Sequence, residues 1–154
     1  MPPDHRVDID VEAIQEFLKK KGSVELLIVL GESDLRHDEL ESEIPVSGST
    51  FHVRRNQAGD LGLITRESRR PSSDEGFVDF YTLTEVGEII TQQARSEGLS
   101  KMFWRLQELR EQYEEARDTI PEWVGDEESN FVDDYVELRI HGREQDAYDR
   151  GDFY

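Results

Sequence analysis

Along the first sixty residues the apolar positions recur at helical spacing in separate runs. Val11, Ile14, Phe17 and Leu18 line one face of a helix that Asp10 is placed to cap, with Lys19, Lys20 and Lys21 in its last turn and Gly22 at its stop. Ser23 is expected to cap the next helix, whose run Val24, Leu26, Leu27, Ile28, Val29 and Leu30 is apolar almost all round and predicts burial. Gly31 closes it. Ser33 or Asp34 opens a short helix from Leu35 to about Glu43, which Pro45 prevents from continuing. A further helix runs from near Ser47 to about Ala58, with Phe51 and Val46 toward the core and Gly59-Asp60 at its end. The period then changes. Leu61, Leu63 and Ile64 lead into a strand, Glu67 to Gly76 is a polar segment rich in turn formers, and Phe77 to Leu83 forms a second strand. Thr84 suits the N-cap of a helix that continues to about Glu97, with Gly98 just past its end.

Beyond Gly98, Leu99, Met102, Leu106, Leu109, Tyr113, Ala116 and Ile120 alternate at spacings of three and four, a heptad a/d pattern. Phe103 and Trp104 widen its start, and Pro121 is expected to end it. Such a stripe serves packing within one chain as well as a dimer seam. The preceding segment already has its own buried helix, so the dimer is the expected use. In the tail, Phe131, Val132, Tyr135 and Leu138 suit one face of a short helix capped by Ser129 or Asn130, and Asp146 to Tyr154 is expected to fray. The predicted fold is mainly α with a small β-hairpin wing: a winged helix-turn-helix over residues 11–97, a dimerisation helix over 98–121 and an acidic extension over 122–154.

Charge changes this picture. The chain holds 36 acidic and 18 basic residues, a net of −18, and only Lys19, Lys20, Lys21 and Lys101 are lysines. Many carboxylates with few, mostly arginine, cations make a composition that resembles proteins of halophilic archaea. Multimolar salt shortens the screening length to about 3 Å or less and relieves the self-repulsion. The absence of cysteine rules out disulfides and zinc-thiolate sites. Neither a membrane-length apolar run nor a signal-peptide core is present in the sequence, so a cytoplasmic location is expected.

Against that acidic background Ser47 to Ser73 carries five arginines and only Asp60 and Glu67, a net of +3, while the other 127 residues carry −21. The candidate DNA-contacting residues are therefore Ser47, Ser49, Thr50, His52, Arg54, Arg55 and Asn56 on the helix and Arg66, Arg69 and Arg70 at or near the hairpin tip. Ser49, His52, Arg55 and Asn56 form an outward stripe, with Arg54 beside them. Arginine can bond guanine and asparagine adenine bidentately, and tip arginines can grip phosphates or enter a minor groove. Catalysis is not expected: there is no phosphate-binding glycine loop, no nucleophile elbow and no nucleophile with a partner base. His37-Asp38-Glu39 points its ligands in different directions, and His5, His52 and His141 are scattered, so neither metal nor cofactor is expected.

From Val24 to about Gln93 the chain resembles winged-helix regulators of the HxlR and PadR type within the MarR-like group. The residues that carry the resemblance are Leu26-Leu27-Ile28-Val29-Leu30-Gly31, His37-Asp38-Glu39-Leu40, Gly62-Leu63-Ile64 and, most specifically, Tyr81-Thr82-Leu83-Thr84-Glu85-Val86-Gly87. The resemblance implies a homodimer that binds double-stranded DNA near promoters, usually as a repressor, with recognition residues on Ser49 to Asn56 and wing residues on Arg66 to Arg70. HxlR-type proteins often carry a sensor cysteine near the N-terminus, which this chain lacks, and the tail after Pro121 is additional. A competing expectation is a winged-helix adaptor that binds protein. A small-molecule effector would call for a pocket near Phe103, Trp104 and Trp123.

Overall fold

The computed structural model describes residues 9–149, with side chains described through residue 142. In order these form α1 (Val11–Leu18), α2 (Ser23–Glu32), β1 (Leu35–Arg36), α3 (His37–Glu43), α4 (Gly48–Asp60), β2 (Ile64–Arg69), β3 (Val78–Leu83), α5 (Glu85–Ser96), α6 (Leu99–Gly125) and α7 (Phe131–Asp149). The fold is mainly helical, with one antiparallel three-stranded sheet in the order β1-β3-β2: a winged helix-turn-helix followed by long helices. The chain divides into two compact units, one ending at Trp104 and one starting at Arg105.

In the first unit α2 is the centre of the core. Leu26, Leu27, Ile28, Val29 and Leu30 are all buried, and Leu40 of α3, Phe51 and Ala58 of α4, Leu63 and Tyr81 close around them. Burying each large aliphatic side chain contributes about 1.5–3 kcal/mol, so this run anchors the helix-turn-helix. Asp10 caps α1 by accepting from the Ala13 N–H at 3.0 Å. Thr84 caps α5 through the Gly87 N–H and donates to the Gly62 carbonyl at 2.6 Å, tying the wing exit to the wing entry.

Several expectations change. α1 ends at Leu18, so Lys19 to Lys21 lie in the turn beyond it, drawn tight by Lys20 N–H to Phe17 and Ser23 N–H to Lys20 carbonyl bonds. Ser23 is not a cap. Gly22 takes that position with φ 89°, and Ser23 is the buried first residue of α2, its hydroxyl without a hydrogen-bond partner among the described residues. Gly31 does not close α2: the helix reaches Glu32, and Arg95 of α5 donates at 2.6 Å to the Gly31 carbonyl in its last turn. Leu35 and Arg36, expected in a helix, pair with Tyr81 and Phe80 on the open edge of β3. α3 starts only at His37, where the Glu39 carboxylate accepts from the Arg36 N–H at 3.0 Å rather than Ser33 or Asp34 acting as cap.

In the second unit Pro121 does not end the helix; α6 continues to Gly125. Proline removes one N–H and strains the preceding turn, at a cost of about 3 kcal/mol in a helix interior. Arg117, whose carbonyl loses that donor, is exposed, so water can take the vacant place. α7 is longer than expected, and residues 146–149 belong to it; residues 150–154 of the expected frayed end lie outside the described ones. Trp123 packs edge-on against Phe131 and donates through Nε1 to Asn130 at 3.3 Å. Among the described residues no helix is long and apolar enough to cross a membrane.

Candidate nucleic-acid interface

The exposed face of α4 and the two wing strands form the candidate surface. Ser47 is the N-cap, its hydroxyl accepting from the Thr50 N–H and donating to the Thr50 hydroxyl, with Ser49 Oγ 3.3 Å away. These three residues therefore stiffen the first turn of α4. Phe51 is fully buried, which turns Ser49, His52 and Asn56 outward as the helical spacing demands. Val53 is exposed as well.

Arg54 does not lie on that stripe. Its Nε donates to the Lys21 carbonyl at 2.9 Å and its Nη1 to Gln57 at 3.1 Å, so it ties α4 to the turn after α1. Arg55 stays at the front. It donates to His37 Nδ1 at 2.6 Å and to Asn56 Oδ1 at 3.2 Å, and its guanidinium lies 5.6 Å from the centre of the Tyr81 ring. Arg66 of β2 approaches the same ring at 5.6 Å. Tyr81 is thus flanked by two cations, one from the helix and one from the wing. Arg55, Asn56, Arg66, Tyr81 and Asp60 line a shallow recess of about 380 Å³ between them.

The wing arginines are unequal. Arg66 faces Asp79 at 3.7 Å across the β2–β3 pair. Arg69, expected near the tip, lies at the end of β2 in register with Val78 and is held by Glu67 and by Asp34 at 2.7 Å. The Thr82 hydroxyl, and then Arg69, hold the Asp34 carboxyl below its usual value against the opposing effect of desolvation. Arg70 is at the tip and donates to the Ser73 and Glu75 carbonyls, and among the described residues no carboxylate pairs with it. Arg36 is a cation that sequence reasoning missed: it reaches over Phe80 at 5.6 Å and toward Glu75. A two-residue strand leaves too little pattern to reveal it.

The full hairpin also alters the charge count. Carried from Ser47 to Leu83, the five arginines meet five carboxylates, Asp60, Glu67, Asp74, Glu75 and Asp79. The surface is neutral within a strongly acidic molecule rather than basic in itself.

On α6, Leu99, Met102, Leu106, Leu109, Tyr113 and Ile120 are each more than two-fifths exposed, and Ala116 is exposed too. Phe103 is buried and meets Trp104 edge-on.

No protein-family model matches the chain, and no curated protein does. Solved structures do. A candidate transcriptional regulator of the MarR family from Porphyromonas gingivalis aligns over 62% of this chain and 92% of its own, at 18% identity and a TM-score of 0.48. The transcriptional repressor BigR from Xylella fastidiosa aligns over 56% and 80%, at 22% identity and 0.45. The circadian clock associated protein Pex from Anabaena aligns over 65% and 96%, at 16% identity and 0.42.

Proposed function

We propose that this chain is a sequence-specific double-stranded-DNA-binding regulator of transcription, of the HxlR/PadR type. In this reading it represses as a homodimer in the high-salt cytoplasm of a halophilic archaeon. The observation that carries the reading is the outward face of α4. Ser49, His52 and Asn56 are free of the core there, and Arg55 stands beside Arg66 over Tyr81, so helix and wing present donors to one ligand surface. Asn56 suits adenine and Arg55 guanine in a major groove, while Arg66 and Arg70 suit the flanking phosphates. Ser47 and Thr50 orient the first turn, and Arg54 and Arg69 brace the surface from behind. Two half-sites are read when Leu99, Met102, Leu106, Leu109, Tyr113, Ala116 and Ile120 of two copies pack together. Residues 11–97 then form the reading domain, 98–121 the dimer helix and 122–154 an acidic extension.

The test is fluorescence anisotropy of labelled operator duplex at fixed high salt. Arg55→Ala with Asn56→Ala is expected to abolish discrimination between operator and scrambled duplex. Retained discrimination in that variant contradicts the assignment of Arg55 and Asn56 as base readers. A parent protein that does not tell operator from scrambled duplex favours instead the second reading, a winged-helix adaptor for a protein partner, which the 74% exposure of Phe77 near the wing tip supports.

A further inference from the structure

Two histidines that are scattered in the sequence meet in the helix-turn-helix. His37 opens α3, and Glu41 stands one turn later with Oε2 3.2 Å from His37 Nε2. The ring of His52, on α4, lies 4.9 Å from that of His37. One ligand atom from each of the three residues falls within 4.8 Å of the other two. The His37 ring is steadied by the buried Phe51, which meets it edge-on at 5.4 Å. Gly48 leaves room for the carboxylate: a Cβ there would lie 2.9 Å from Glu41 Oε1.

We infer that His37 Nε2, Glu41 and a ring nitrogen of His52 form a binding site for one borderline divalent transition-metal ion of the zinc class. Metal–ligand bonds of about 2.0–2.2 Å in a tetrahedron put ligand atoms roughly 3.3–3.6 Å apart. His37 and Glu41, at 3.2 Å, are already close to that spacing. His52 is exposed, so its ring can turn inward to close the remaining gap. Two imidazoles and one carboxylate favour zinc, cobalt or nickel over magnesium or calcium, which take all-oxygen shells. The fourth position belongs to water.

Loading the site has a consequence for Arg55. A guanidinium only donates, so the 2.6 Å bond from Arg55 requires a bare lone pair on His37 Nδ1 and puts the ring proton on Nε2, facing Glu41. A metal ion on Nε2 needs the other tautomer. The Nε2 proton leaves to solvent, Nδ1 takes one up, and the ring's proton count is unchanged. Nδ1–H then opposes the Arg55 N–H, and the bond breaks. Metal occupancy and the Arg55–His37 bond therefore exclude each other. Only the further step, that the released Arg55 is offered to DNA, rests on the function proposed above.

The test needs no DNA. Full-length, tag-free protein in about 1 M KCl, which screens diffuse binding to surface carboxylates, is titrated with Co²⁺ and followed by visible absorption, then back-titrated with Zn²⁺. The expected result is one equivalent per chain with the strong d–d bands of tetrahedral cobalt, bleached by zinc. His52→Ala and Glu41→Gln, both with little role in the core, are expected to weaken binding by about tenfold or more, while the double variant His5→Ala, His141→Ala binds as the parent does. Arg55→Gln is expected to bind several-fold tighter, because no bond to His37 has to be broken. Weak octahedral cobalt spectra, or binding unchanged in His52→Ala with its circular dichroism intact, overturn the site. Unchanged affinity in Arg55→Gln overturns the exclusion.

Discussion

Arg54 and Arg55 are adjacent in sequence, yet one guanidinium bonds the Lys21 carbonyl at the back of α4 and the other sits over Tyr81 at the front. Their alanine variants should therefore fail differently. Arg55→Ala is expected to cost about 1–3 kcal/mol of DNA affinity with little change in stability. Arg54→Ala is expected to cost about 0.5–1.5 kcal/mol of stability, read by urea titration, with little loss of affinity in the folded protein. At the wing base Asp34 supplies a pH test. Its carboxyl is lowered from the ordinary 3.8 by the Thr82 hydroxyl first and by Arg69. A depressed folded value means that its contribution is complete above the unfolded value and is lost as pH falls through the folded one. Stability should thus fall between about pH 4 and the depressed value, and Asp34→Asn should flatten that part of the acid limb in denaturant titrations. Local partnerships of this scale were legible where they span three residues, as in the caps Asp10 and Thr84. The Arg54–Lys21 bond and the His37–His52 encounter were not, because they depend on how α1, α3 and α4 pack.

Among the elements, α5 depends on one close approach. A Cβ on Gly87 would collide with the Leu63 carbonyl, which accepts from the Thr84 N–H where the wing closes. Gly87→Ala is expected to destabilise the domain by about 1–3 kcal/mol, shown by a lower urea midpoint at unchanged slope. For α6, changing Leu106 and Leu109 to glutamate is expected to give a folded monomer in sedimentation. A parent protein that sediments as a monomer at micromolar concentration contradicts the dimer seam. α1, α5 and the hairpin were readable because period and boundary residues agree along each, with Asp10 and Thr84 standing where the caps are. β1 was not: its two residues pair only because β3 offers an open edge. Nor was the passage of α6 through Pro121 readable, since proline usually closes a helix unless water can relieve the lost bond.

For the whole molecule, the net charge of −18 sets how the proposed surface meets a polyanion. Ten arginine–phosphate contacts per dimer would give a log–log salt slope of up to roughly −9. Arg66 faces Asp79, and Arg69 faces Glu67 and Asp34, so fewer counterions are released than the arginine count suggests. Carboxylates brought near phosphates should hold cations instead. Operator affinity is accordingly expected to change little between about 0.5 and 2 M KCl, where screening lengths are only a few ångströms. A steep fall with the fold intact by circular dichroism contradicts cation uptake without touching the fold. The central claim is that the α4 face reads base sequence as part of a two-fold dimer. Selection of the folded protein's ligands from a pool of randomised duplexes in high KCl tests it most directly. The account predicts convergence on an inverted repeat, its half-sites about one helical turn apart, that Arg55→Ala with Asn56→Ala fails to enrich. A pool that stays random through repeated rounds would contradict it.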